Sequence, residues 1–183
     1  MYQSLTGGIV RTGRLISALV VTGAFAVIPA VTGASTAHAT AGDVVCNGGF
    51  IEANAAPGLT FQTKTIQITG EGDVGQCRSL SDSGVTGGTF NFQATVQGEC
   101  PDGGNGSASG VISWSNGKTS NIQGTFVVDQ NQVGLSSIHV VSGEFQGDNG
   151  SFAGPITYLP WYACLFPTGV EYGRAIINEG FLN

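Results

Sequence analysis

The chain has 183 residues, a net charge of −6 and four cysteines. This length is enough for one domain with a core of its own. The acidic balance argues against nucleic acid and against anionic membrane surfaces as partners, because both repel a negative protein surface.

The first 39 residues have the pattern of a secretory signal peptide. Arg11 and Arg14 precede an apolar run at residues 15–31, and residues 37–39 read Ala-His-Ala, a form that signal peptidase cleaves after. An uncleaved membrane anchor is the alternative, but no Lys or Arg follows the run as a stop-transfer flank. We therefore predict a signal peptide at 1–39 and a secreted, extracellular domain at 40–183, with no membrane attachment after cleavage.

All four cysteines, Cys46, Cys77, Cys100 and Cys164, lie in the predicted secreted part. An even number of cysteines in an exported chain predicts two disulfides, with three possible pairings. We expect Cys77 to pair with Cys100 within a local hairpin region. We expect Cys46 to pair with Cys164, which would tie the two ends of the domain together.

Short segments in which polar and apolar residues alternate follow one another along the secreted part. In residues 89–96, for example, four apolar residues fall on one face of a strand. The predicted strands cover residues 60–69, 89–96, 110–114, 122–128, 133–141, 143–146, 152–158 and 172–178, and residues 43–58 are predicted as a loosely attached first strand. Gly- and Asn-containing turns separate the strands. The pattern predicts an all-β fold, a single antiparallel β-sandwich (immunoglobulin-like or a small barrel) of eight or nine short strands, with two disulfides.

Several short motifs give the chain a likeness to known secreted proteins. They are Pro-Gly-Leu-Thr at 57–60, Gly-Gln-Cys at 75–77, Trp-Ser-Asn-Gly-Lys-Thr-Ser at 114–120, Gly-Glu-Phe-Gln-Gly-Asp at 143–148 and Ala-Cys-Leu-Phe-Pro-Thr-Gly at 163–169. Together they resemble a group of small secreted β-rich proteins of actinomycetes that have no assigned function. The resemblance implies a secreted all-β protein and supplies no catalytic residues.

A second likeness involves fewer residues. The segments at 73–77 and 105–109 are similar to stretches of the neocarzinostatin-type apoproteins, which are secreted β-sandwiches with two disulfides that hold an enediyne chromophore. The disulfides of that family close short loops, whereas the cysteines here lie far apart in the chain. The likeness therefore gives no basis for inferring chromophore binding.

The aromatic run at residues 158–166 is the best candidate for a binding site. Its aromatic residues are Tyr158, Trp161, Tyr162 and Phe166. Flat rings on a sheet face or rim can cover a sugar or another apolar ligand at little entropic cost. The alternative is that Trp161 and Phe166 pack around the Cys164 disulfide. Elsewhere in the chain, Trp114 is expected in the core.

Few residues are able to do acid–base chemistry. His139, the one histidine of the predicted secreted part, lies between apolar residues in a predicted strand, where a solvent-facing position is expected. The nearest carboxylate pairs are Glu99 with Asp102 and Glu144 with Asp148, and both pairs lie beside turns, where solvated acids are common. We predict no catalytic residues.

The composition also gives little support for a metal or a cofactor. With one histidine and no Cys-x-x-Cys pair, a zinc site has almost no ligands available. The turns at 102–105 and 148–150 offer oxygen ligands of the kind calcium prefers, but neither has the full spacing of a calcium-binding loop. We predict no metal and no cofactor.

Three functions follow from these observations, in order of preference. The first is a non-catalytic extracellular binding or surface module whose ligand is a small molecule, a polysaccharide or a protein. The second is a secreted inhibitor of a foreign enzyme such as a protease, which would present Arg78 or Leu165 on a loop held by the preceding cysteine. The third is a carboxylate-based hydrolase.

Overall fold

The computed structural model describes residues 43–183, so the predicted signal peptide at 1–39 lies outside the described residues. Residues 43–183 form eleven β-strands and one short 3₁₀ helix, Trp161–Leu165. The strands are β1 (Val44–Asn47), β2 (Phe50–Leu59), β3 (Lys64–Asp73), β4 (Gln76–Ser79), β5 (Gly88–Glu99), β6 (Gly103–Trp114), β7 (Thr119–Val128), β8 (Gln132–Gly143), β9 (Asn149–Tyr158), β10 (Val170–Ile176) and β11 (Glu179–Leu182). This part of the chain has no helix with the length and hydrophobicity that crossing a bilayer requires.

The strands form one antiparallel sheet that closes on itself. Eight of them are neighbours in the order β10-β2-β3-β5-β6-β7-β8-β9. β10 also pairs with β9, with Ala175 opposite Ile156, and this second pairing completes a ring of eight strands. The predicted all-β, antiparallel class is confirmed, and of the forms predicted the sheet takes that of the small barrel.

The interior of the ring is built by the alternation that the sequence displays. In β5, the side chains of Phe90, Phe92, Ala94 and Val96 are all buried, as predicted. Phe92 stacks on Phe126 of β7, with ring centroids 5.2 Å apart. Burial of each large apolar side chain contributes roughly 1.5–3 kcal/mol to folding. The core therefore lies inside the ring.

Three short strands extend the sheet beyond the ring. β11 pairs with the first half of β9, β1 pairs with β11, and β4 pairs with β1. Residues 43–58, predicted as one loosely attached strand, contain both β1 and β2. β2 is a full member of the ring because it buries Ile51 and Leu59 between β10 and β3.

One predicted strand, at residues 143–146, is not formed: Gly143 is the last residue of β8, and residues 144–146 belong to the turn between β8 and β9. Gly143 and Phe145 have positive φ angles of 93° and 60°, which reverse the chain direction at this point. Phe145 is still buried, because its ring packs edge-on against Trp114 with centroids 5.4 Å apart. Phe145 is therefore apolar because it packs against Trp114. The alternation of the sequence could not distinguish such a residue from one on the inner face of a strand.

The predicted disulfide pairing is wrong. Cys46 is bonded to Cys77, and Cys100 is bonded to Cys164. Cys46 and Cys77 lie directly opposite each other in the ladder between β1 and β4, with Cα atoms 4.0 Å apart. Cys100 follows β5, and the 3₁₀ helix brings Cys164 beside it. Strand register therefore determines the first bond, and the position of the 3₁₀ helix determines the second.

Candidate ligand-binding cavity

An apolar cavity of about 50 Å³ lies inside one end of the ring. This is the end at which β2, β7 and β9 finish and β3, β8 and β10 begin. The lining is almost entirely hydrocarbon, and its buried members are Ile51, Leu59, Ile68, Phe126, Val133, Val170 and Ala175. A cavity of this character is the usual form of a small-molecule site, and the mouth of a closed sheet is a frequent place for one.

Small side chains create the space. Ala53 and Ala55 of β2 and Gly173 of β10 all line the cavity. Farther along the ring, Phe90 and Phe92 of β5 fill the interior instead. The ring is therefore packed toward one end and has free volume toward the other.

The cavity has a polar mouth between β2 and β10. Asn54 and Arg174 are exposed and also line the cavity, and the pairing of β2 with β10 shifts register immediately beyond Asn54. Arg174 Nε lies 3.3 Å from Glu52 Oε1, and its guanidinium lies 5.3 Å from the centre of the Phe50 ring. The polar side chains at this edge therefore border a cavity whose lining is otherwise almost entirely apolar.

The aromatic run at 158–166 contributes an aliphatic residue, Leu159, to the cavity. A Cβ atom added at Gly173 would lie 2.7 Å from Leu159 Cδ1, so the glycine leaves room for this side chain. Tyr158 is exposed, and its ring lies 5.9 Å from that of Tyr172, which lines the cavity. Tyr158 is therefore the predicted binding residue whose ring lies near the ring of a lining residue.

The other three predicted binding residues do not line the cavity. Trp161 is partly buried and packs against the core, whose members include Cys164. Tyr162 and Phe166 are 68% and 57% exposed. Trp161 therefore contributes to packing, whereas Tyr162 and Phe166 are largely exposed, and the packing of Trp161 and Phe166 around Cys164 stays a prediction. Leu159 was missed because a single leucine in an aromatic run has no distinguishing signal.

The predicted acid–base candidates remain separate from the cavity. His139 is exposed on β8, where a ring nitrogen lies 3.2 Å from Asn149 Oδ1. Thr63 donates a hydrogen bond to the Glu99 carboxylate, and Glu144 lies 3.0 Å from Lys118 Nζ. Asp148 is buried in the turn between β8 and β9.

Lys118 also forms an ion pair with a second acidic residue, Asp82. Its Nζ lies 2.9 Å from Asp82 Oδ2, and this hydrogen bond, with others from Gly84 and Asn116, lowers the pKa of Asp82 to about 2. The nearby Trp114 is a core residue, as predicted. These contacts stabilise turns at the end of the ring opposite the cavity.

Arg78 and Leu165, the two residues that an inhibitor would present to its target enzyme, lie in different kinds of secondary structure. Arg78 lies within β4, opposite Val45 of β1. Leu165 is 75% exposed and ends the 3₁₀ helix, next to the disulfide at Cys164. Neither residue is therefore placed at the tip of an extended loop, which is the form that a preorganised inhibitory segment needs.

Residues 43–183 contain no group of three or more His, Cys, Asp or Glu side chains able to hold a metal ion. Comparisons of the chain with protein-family models, with curated proteins and with solved structures found no match. The resemblance to secreted actinomycete proteins stays a prediction.

Proposed function

We propose that this protein is a secreted, non-catalytic binding module that takes the apolar end of a small amphiphilic molecule into the cavity of the ring. The observation that carries this proposal is the almost wholly hydrocarbon lining of a cavity that opens beside polar side chains. Transfer of apolar surface from water into such a site is favourable without any charged partner.

The size of the cavity limits what it can hold. A volume of about 50 Å³ is more than one or two water molecules need, but it is well below the roughly 150 Å³ of a cavity that holds benzene. A few methylene groups of an alkyl chain fit this volume. The rest of the ligand would lie outside, against Tyr158 and Tyr172 at the mouth.

Secretion is supported by the two disulfides, since such bonds persist in oxidising compartments. The predicted signal peptide supports it as well. The inhibitor and hydrolase hypotheses receive less support, because Arg78 lies within a strand and Glu144 is paired with Lys118.

Binding of a series of n-alkanols from ethanol to octanol, measured by isothermal titration calorimetry, tests the proposal. We expect the binding free energy to improve by about 0.8 kcal/mol for each of the first few methylene groups and then to level off. Ala53→Leu places a larger side chain in the cavity and should weaken binding at least tenfold.

The matched control is Ala153→Leu, which adds the same side chain at an exposed position of β9. This variant should bind the alkanols as the unmodified protein does. An affinity that is independent of chain length, or that Ala53→Leu leaves unchanged, would contradict binding in the cavity.

A further inference from the structure

Asp148, in the turn between β8 and β9, is a buried carboxylate without a partner. It is 1% exposed, and neither of its carboxylate oxygens has a hydrogen-bond partner among residues 43–183. Buried polar atoms in native proteins are nearly always paired, and a buried charge without a partner is strongly unfavourable. The missing partner of this side chain is therefore an ordered water, a proton or a cation.

A second acidic residue lies close to it. Asp43, directly before β1, is 5% exposed. Burial, and then the negative charge of Asp43, raise the pKa of Asp148 to about 6. Two buried carboxylates thus repel each other, and the Asp148 oxygens form no hydrogen bond that would indicate a proton shared with Asp43.

Strand register explains why residues so distant in the chain meet here. Val44, next to Asp43, lies opposite Leu182 of β11. Asn149, next to Asp148, exchanges two main-chain hydrogen bonds of 2.7 Å with Asn183. The end of β11 therefore has the first residues of β1 on one side and those of β9 on the other.

The chemistry of this pair selects one class of ligand. Two carboxylates neutralise a doubly charged cation, and oxygen ligands are those that calcium prefers. Calcium also accepts main-chain carbonyls, water and irregular geometry, whereas magnesium requires near-ideal octahedral coordination. Zinc is a poorer fit because its sites usually include nitrogen or sulfur ligands.

We propose that Asp43 and Asp148 bind a calcium ion where β1 and β9 begin, with main-chain carbonyls and water as the remaining ligands. The site differs from the sequence prediction of no metal, because Asp43 comes from a distant segment. The ion would link the extension formed by β11 and β1 to the turn that precedes β9.

Thermal unfolding of the purified, chelator-treated protein with added calcium chloride tests the proposal. We expect the Tm to rise by several degrees, with a half-maximal effect at about 0.1–1 mM calcium, the range of extracellular modules. Sodium chloride at equal ionic strength should leave the Tm unchanged, and magnesium chloride should have a smaller effect. Titration calorimetry should detect the same calcium binding directly.

Asp148→Asn and Asp43→Asn should each abolish the calcium-dependent rise in Tm. Asp148→Asn removes the unpaired charge and keeps the side-chain volume, so this variant is expected to fold. Asp102→Asn makes the same change at an exposed turn and should retain the full effect of calcium. No shift in the unmodified protein, or an equal shift in Asp148→Asn, would overturn the site.

Discussion

At the scale of single residues, Ser120 is a buried polar residue whose hydroxyl has both a hydrogen-bond donor and a hydrogen-bond acceptor as partners. Its hydroxyl is fully buried, accepts a hydrogen bond of 2.8 Å from Trp114 Nε1, and donates one to the main-chain oxygen of Glu144. Both partners are themselves fixed, Trp114 by its contact with Phe145 and Glu144 by Lys118. The hydroxyl therefore connects the start of β7 with the turn that follows β8.

Ser120→Ala should lower the free energy of unfolding by about 1–3 kcal/mol, because it leaves the buried indole N–H of Trp114 without an acceptor. Urea unfolding followed by tryptophan fluorescence would measure the loss. In a Trp114→Phe background the same substitution should cost less, since no indole N–H remains. An equal cost in both backgrounds would show that the hydrogen bond contributes nothing.

The sequence allowed the burial of Trp114 to be predicted, but not that of its hydrogen-bond partner Ser120. Trp114 was expected in the core because it ends an apolar strand beside an Asn-Gly turn. Ser120 carried no comparable signal, because serine and threonine are frequent on the exposed faces of the same strands. Which of them points inward depends on packing that only the folded sheet defines.

At the scale of elements, β5 was predicted more accurately than β2, because its inward residues are large and those of β2 are small. β5 displays the alternation of Phe90, Phe92, Ala94 and Val96 in its own sequence. β2 places Ala53 and Ala55 inward, and these give no contrast with the residues around them. The same alanines help to create the cavity, so the candidate site was missed for the same reason that β2 was predicted as only loosely attached.

The two disulfides should differ in their effect on binding. In the chain-entropy model, removing either bond by a double Cys→Ala substitution should cost about 4 kcal/mol, since closed loops of 31 and 64 residues differ little in entropy. Loss of Cys100–Cys164 should also weaken alkanol binding, because this bond anchors the segment that carries Leu159. Urea unfolding and titration calorimetry of both variants would measure the two effects.

Loss of Cys46–Cys77 serves as the control in this experiment, because that bond lies in the extension formed by β1 and β4, away from the cavity. Its removal should reduce stability and leave the affinity for alkanols unchanged. Equal losses of affinity in the two variants would mean that general destabilisation, rather than the position of Leu159, determines binding.

At the scale of the whole molecule, closure of the ring depends on one close approach of main chains. β9 pairs with β11 through its first half and with β10 near its end. Gly154 lies at this exchange, and a Cβ atom there would be only 1.6 Å from the main-chain oxygen of Ile176. Only glycine allows both partners to reach β9.

Gly154→Ala should therefore lower the free energy of unfolding by more than about 3 kcal/mol, beyond the usual cost of an overpacked side chain. Gly117→Ala is a suitable comparison, because open space surrounds its Cβ position and only its φ of 82° opposes alanine. That change should cost about 1–2 kcal/mol. Equal costs in urea unfolding would contradict a special role for Gly154 in closure.

Closure of the ring also determines when the cavity comes into existence. β2 and β10 bound it on one side, and their pairing places Ile51 opposite Ala175, near the two ends of the described chain. Contacts between such distant segments have a high entropic cost and form slowly during folding. A partly folded molecule with an open ring has no cavity. A ligand of the proposed kind would bind only the closed state, so its concentration would set the fraction of molecules in which the ring is closed.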